Sequence, residues 1–382
     1  MKYFRTMISI VELHSKSDLI DFVRFPFKLY KGNKYWVPPI ISDEIDFFDP
    51  SINPVFEHAE ARFFVAKIKG EIVGRIAAIR NFTEIEKQDL PKMRFGWFDF
   101  IDDYSVSAAL LDQVSQIGKD EQLAFIEGPV GFSNMDKVGV LTEGFERLST
   151  MISWYNFDYY PRHYEAYGMH VEKKYLESEF LLQNADPKFF EKSSNLISRR
   201  YQLETKHYRK TKDVLAVADQ MFDLFNETYA SLSSFVPISE RQKTYFKKKY
   251  LSFINPEFIK FVFDKDQKMV AFAITMPSFA EALRRANGRL FPWGIIHLLR
   301  AKRRAKTAIL YLIGVHPEYQ NKGVTSLLFA ALKEEYEKYG IVNCHRTPEL
   351  EDNLAIQRLW KDFDPVVTQR RVTYKKLLST HS

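Results

Sequence analysis

Residues 308–339 read AILYLIGVHPEYQNKGVTSLLFAALKEEYEKY, and the order of signals in this stretch decides the fold. The apolar run 309–315 is too short for a helix and rich in strand formers. His316-Pro317 ends it, because proline removes a ladder donor and restricts the residue before it. Gln320-Asn321-Lys322-Gly323-Val324-Thr325 follows, and then Leu327, Leu328, Ala331 and Leu332 recur at helical spacing. Strand, glycine turn and helix N-terminus in that order build an anion site, since the first N–H groups of a helix have no intrahelical partner. Gly323 lets the backbone approach a ligand without a Cβ in the way, and Lys322 adds positive charge beside it.

Downstream, 341–344 reads as a strand after a helix stop at Gly340. Thr347-Pro348-Glu349-Leu350-Glu351-Asp352-Asn353 then leads into a helix through Trp360. Taken together, these two stretches resemble the GNAT N-acetyltransferase superfamily. Its acyl-CoA turn is Gln/Arg-x-x-Gly-x-Gly/Ala, which Gln320 and Gly323 fit. Thr325 departs from the usual small third residue and either offers its hydroxyl to a phosphate or caps the helix. The family's second motif is an Asn with a Tyr seven residues on. Asn353 matches the Asn, and Trp360 stands where the Tyr belongs. The resemblance covers about residues 190–378 and is nearest to a bacterial group of long GNAT-like proteins, which supplies a fold and no substrate.

The resemblance implies an acyl-CoA co-substrate and no metal. The thioester arm would pair with the strand edge at Ile313 and Val315, and Asn353 would hydrogen-bond it. The pyrophosphate would rest on the turn formed by Gln320, Asn321, Lys322, Gly323, Val324 and Thr325. An amine would attack directly, with orientation supplying much of the rate. Candidate bases are Glu349, His345 and Tyr311, each with an ordinary structural reading: solvated near a helix start, on the surface, and in the core respectively. Indole does not ionise usefully, so Trp360 cannot act as the family's acid.

The first half repeats the order strand, helix, hairpin, strand, helix, strand, with the hairpin at 63–79 turning on Lys69-Gly70-Glu71. It therefore resembles a second, degenerate GNAT-like domain. Asp102-Asp103 follow its fourth strand, with no Gln-x-x-Gly turn, and two carboxylates there would repel a pyrophosphate. The expected fold is α/β in the broad sense (α+β): two tandem GNAT-like domains, each a mixed, mostly antiparallel sheet flanked by helices. Expected bounds are 1–183 for the degenerate domain and 184–382 for the acyl-CoA domain, with a basic insertion at 277–307.

Charge is placed unevenly. Residues 1–170 hold 19 Lys and Arg against 25 Asp and Glu, whereas 171–382 hold 36 against 24. The basic half is the half with the glycine turn, which suits a ligand carrying several phosphates. From Glu281 to Thr307 there are eight basic residues to one acid, around the apolar run LFPWGIIHLL at 290–299. Such a segment is either a cover helix with a solvated face or a docking element for an acidic partner or a membrane surface. Aromatic residues make up 15% of the chain, read as core packing in preference to an acyl tunnel. The lone cysteine, Cys344, leaves no internal disulfide and reads as a buried thiol. No apolar run approaches the length of about 18 residues that spans a bilayer. The expected location is cytoplasmic.

No His-x-x-x-His, paired Cys ligands, Gly-x-Ser-x-Gly or phosphate-binding Walker loop suggests other chemistry. The sequence thus favours an acyl-CoA-dependent N-acyltransferase, by default moving acetyl from acetyl-CoA to a small-molecule amine, with a long-chain acyl-CoA as the variant. A non-catalytic CoA sensor is the alternative that Trp360 and Thr325 raise. A transferase using aminoacyl-tRNA, as in tandem GNAT-like proteins of peptidoglycan synthesis, is a third; apart from that, no nucleic-acid partner is expected.

Overall fold

A computed structural model describes residues 7–378, leaving out 134, 186, 231, 233 and 234, and the side chains of 187–189, 355, 358 and 362. In chain order the first elements are β1 (Ile8–Leu13), α1 (Lys16–Leu29), α2 (Ile41–Phe47), β2 (Ala59–Ile68) and β3 (Glu71–Asn81). Next come β4 (Lys92–Phe100), α3 (Tyr104–Asp120), β5 (Phe125–Gly128), β6 (Val140–Glu143), α4 (Tyr160–Ala166) and β7 (His170–Leu181). The second half holds α5 (Pro187–Tyr201), β8 (Glu204–Lys206), α6 (Thr211–Tyr229), α7 (Glu240–Phe246), β9 (Ile259–Phe263) and β10 (Met269–Pro277). It continues with α8 (Ala280–Ala286), α9 (Gly294–Arg304), β11 (Thr307–Val315), α10 (Thr325–Tyr339), β12 (Asn343–Leu350), α11 (Leu354–Trp360) and β13 (Val366–Leu377).

These elements form two compact units. The first is Met1–Tyr175 with Leu283–Gly294 and Gln369–Ser382; the second is Leu176–Ala282 with Ile295–Thr368. The units thus follow the chain less simply than a cut at 183/184 would, because the last strand and part of the insertion pack with the first half.

In the first unit the sheet runs β1-β2-β3-β4-β5-β13, antiparallel except where β4 meets β5. The β2–β3 hairpin closes at Lys69 and Gly70, both at positive φ, as a two-residue turn matching the strand twist requires. Alternation along the strands divides the core. Phe64, Ala66, Ile76 and Ala78 pack in one cluster with Leu110 and Val114 of α3, while Phe63, Val65, Ala77 and Ile79 pack in another with Phe22 of α1. Parallel pairing of β4 with β5 ends at Arg94 opposite Glu127. Beyond that point the chain closes the gap itself: Val130 N–H donates to the Phe95 carbonyl at 2.8 Å. Gly96 lies so close that a Cβ there would sit 2.5 Å from the Val130 carbonyl oxygen. At the start of α3, Asp103 accepts from Ser105 N–H, and Asp102 pairs with Arg162 and His163. Carboxylates occupy the place an anion would take.

In the second unit the order is β7-β12-β11-β10-β9-β8, with β11 and β12 parallel. Leu327, Leu328, Leu332 and Tyr336 of α10 pack on Ala271, Ala273, Ala308 and Leu310 of the sheet. Phe272 and Ile274 alternate to the face that α6 covers. Aromatic side chains pack the core here: Phe180, Phe190, Phe329 and Phe363 line a cavity of about 10 Å³, room for about one water. The insertion at 277–307 forms α8 and α9, and no described helix is long and apolar enough to cross a membrane.

Candidate functional site

The site begins where β11 and β12 part. Their parallel pairing runs from Thr307 opposite Asn343 to Leu310 opposite Arg346 and goes no further, although β11 continues to Val315 and β12 to Leu350. The parting coincides with a bulge: Ile274 faces Leu312 and Thr275 faces Leu310, so Tyr311 is the extra residue. Bulges increase local twist and end pairing, which gives the splay a backbone cause. Thr347 Oγ1 still reaches the Tyr311 carbonyl, at 3.4 Å.

Past the splay, Ile313 and Val315 turn their carbonyls to side chains. The Tyr229 hydroxyl, from α6, donates to Ile313 O at 3.0 Å, and Gln320 Nε2 donates to Val315 O at 3.1 Å. Burial pushes the Tyr229 phenol well up, so it stays a donor at any physiological pH.

The turn itself is open. Asn321, Lys322 and Gly323 are exposed, and Asn321 and Gly323 take positive φ of 59° and 76°. The Gly323 and Val324 N–H groups meet no backbone acceptor among the described residues, and α10 starts at Thr325 with no side-chain cap. Of the two readings of Thr325, the capping one therefore fails. Lys322 lies 5.4 Å from the ring centres of both Tyr201 and Tyr319, which hold its charge beside the turn. Uncapped amides, the positive end of a helix and a lysine make a cradle for a phosphate.

The three proposed bases have different fates. His345 is buried, with Glu177 at 3.1 Å from Nε2 and Glu179 at 3.2 Å from Nδ1. Burial lowers its pKa, but the two carboxylates outweigh that and raise it to about 9. It is neither the surface residue nor the free base that the sequence allows: it is protonated at neutral pH and both ring nitrogens are engaged. Tyr311 is half-buried in the bulge. Glu349 bonds Arg346 and accepts from Trp360 Nε1 at 3.0 Å. Burial nevertheless pushes its carboxyl above the ordinary range, against the pull of both donors. Its charge is also felt at Tyr229.

Asn353 accepts Ile356 N–H on its side-chain oxygen at 3.3 Å, capping α11. Trp360 is 2% exposed, packed on Phe329 and Phe363 with Arg346 stacked over it at 4.9 Å. It is a core residue whose indole N–H serves as a hydrogen-bond donor, as its chemistry leads one to expect. Cys344 is the buried thiol expected, its pKa pushed up to about 12. Sequence reasoning missed Tyr229, Arg346 and Glu177. A tyrosine ending an amphipathic helix carries no signal of its own, and Arg346 gains meaning only from Glu349 and Trp360.

Residues 218–364 match the sequence model of the Acetyltransferase (GNAT) family. The chain is 27% identical to Protein YghO of Escherichia coli, over 95% of its length and 93% of that protein's. It is 24% identical to a protein of Caulobacter vibrioides named bacterial ceramide synthase, over 82% of each. A tandem GNAT protein from the clavulanic acid biosynthesis pathway shares the fold, at TM-score 0.57 and 11% identity, over 98% of this chain and 100% of that one. A GCN5-related N-acetyltransferase from Sphaerobacter thermophilus does so at TM-score 0.52 and 9% identity, over 97% and 96%.

Proposed function

We propose that the chain is a GNAT-type protein of tandem architecture, as the family match over residues 218–364 and the shared fold support, and that it transfers an acyl group from acyl-CoA to an amine nitrogen. The match of residues 218–364 to the acetyltransferase family model supports acyl-CoA-dependent acyl transfer in general. The observation that carries the finer reading is the unpaired length of β11 beyond Leu310, running into an uncapped glycine turn at Gly323. An extended thioester arm needs a free strand edge, and its diphosphate needs donors at the far end.

In this reading the pyrophosphate sits on the amides from Lys322 to Thr325, and the arm lies along Ile313 and Val315. Either Gln320 gives up the Val315 carbonyl, or the arm pairs with N–H groups alone. The amine attacks the thioester carbonyl, the C–N bond forms and the C–S bond breaks. Glu349 takes the proton leaving nitrogen, a role that its raised pKa suits, and the proton passes on to the CoA thiolate. The first unit, whose corresponding gap and turn are filled by its own chain, supplies no second CoA site.

The acceptor and acyl length are proposed from likeness. The name of the Caulobacter relative specifies a ceramide, an amide of a long-chain amino alcohol, so a long-chain acyl-CoA and a lipid-like amine rank above acetyl-CoA and a small amine. The test is calorimetry with CoA, acetyl-CoA and palmitoyl-CoA, followed by thiol-release assays with small amines and long-chain amino alcohols. Thiol release dependent on both partners is expected. Absence of binding by every CoA species sinks the proposal, and binding without release across the panel favours a sensor.

A further inference from the structure

The stretch from Arg289 to Arg304 exposes side chains that folding ordinarily hides. Phe291 is 72% exposed, Trp293 70%, Leu299 51% and Ile296 37%. The geometry of α9 explains why. Gly294 and Leu298 turn inward, and Lys302 packs on Phe253 with its ammonium 2.7 Å from that residue's carbonyl. At 100° per residue, Ile296, Leu299, Arg300 and Arg303 must then lie on the opposite, solvent side. Arg300, Arg303 and Arg304 have no acidic partner among the described residues. From Ala282 to Thr307 the sequence has no acid at all. Apolar side chains thus lead, from Phe291 to Leu299, and cations follow directly behind them.

We propose that this continuous segment of the chain docks on an anionic lipid bilayer. Phe291, Trp293, Ile296 and Leu299 enter the headgroup boundary, and Arg300, Arg303 and Arg304 meet lipid phosphates. An acidic protein would satisfy the arginines and leave two exposed aromatic rings unaccounted for; an anionic membrane takes both. Trp and Arg also suit the boundary separately, one through an amphipathic ring and the other through a guanidinium that pairs with phosphate. The inference does not rest on acyl transfer, though it would place the protein where a lipid-like amine is dissolved.

The experiment is cosedimentation of the full chain with phosphatidylcholine vesicles, with and without phosphatidylglycerol, across a salt series. Binding is expected only with the anionic lipid, weakening as salt rises. At about fivefold per basic residue, R300E/R303E/R304E should lower the partition coefficient roughly hundredfold. F291S/W293S keeps every charge and should lower it about tenfold or more. Thermal midpoint and CoA calorimetry on both variants report the fold, and if the triple variant does not fold, the double variant decides. The proposal is overturned by no binding to anionic vesicles at low salt, by equal binding to neutral ones, or by full binding of F291S/W293S. Capture by an acidic polypeptide that leaves vesicles unbound also overturns it. Vesicle binding by a chain that takes up no CoA would sink the acyltransferase reading and leave this one standing.

Discussion

Trp360 Nε1 donates to Glu349 Oε1 at 3.0 Å, from a ring buried against Phe329 and Phe363. The tryptophan that stands where the resemblance leads one to expect a tyrosine is thus tied to the carboxylate proposed as the base. Trp360→Phe should keep the packing, remove one of the two donors that hold Glu349 ionised, and raise the pH at which turnover begins. Trp360→Ala should cost about 3–5 kcal/mol of stability, as for other buried large-to-small changes. Denaturant titration and a pH–rate profile read the two effects separately. A Trp360→Tyr variant that gains activity would contradict the core assignment.

As the proposed base, Glu349 would act only when deprotonated, and burial raises its carboxyl pKa. Activity should therefore rise with pH through that pKa and fall away below it. Glu349→Gln should lose about 10²–10⁴-fold in kcat, the usual worth of a positioned base, and abolish the acid limb while CoA affinity holds. Steady-state thiol release against pH checks this; an unchanged profile assigns the base elsewhere.

Gly323 carries φ of 76°, and a Cβ there would lie 3.3 Å from Ile197 Cδ1. Gly323→Asp adds backbone strain of about 1 kcal/mol and places a like charge against the diphosphate, so CoA affinity should fall roughly tenfold or more. Calorimetry measures it. Comparable CoA affinity in the variant would move the phosphate site away from this turn.

His345 has a folded pKa of about 9, above the ordinary value of 6.5, because Glu177 and Glu179 flank it. Its contribution to stability is complete below pH 6.5 and is lost as pH rises through about 9. The wild type should lose more stability between pH 7 and 10 than His345→Gln does. Denaturation midpoints of the pair at several pH values provide the comparison, and parallel curves would refute the assignment.

Much of this was legible along the chain. The hairpin at Lys69-Gly70, the strand ended by His316-Pro317, the glycine turn and the helix stop at Gly340 each follow from local rules, and each falls at its expected place. Individual boundaries moved where a neighbour decided them. Ser15 caps α1, because Ser15 and Asp18 bond each other's backbone in a capping box. The second-unit strand β12 runs on to Leu350, past Pro348.

The order of elements, the glycine turn and the basic apolar segment could be read along the chain, because all three are written in near-neighbour spacing. The surroundings of the candidate site came from contacts made across the fold. The splay past Leu310 needs β10 to slip against β11; the charge on His345 needs Glu177, 168 positions away. Asn353 caps α11, Trp360 donates to Glu349 from the core, and Thr325 begins α10 without capping it. A motif fixes which residue stands where along the backbone, but burial and the partners met across the fold set its hydrogen bonds and its proton.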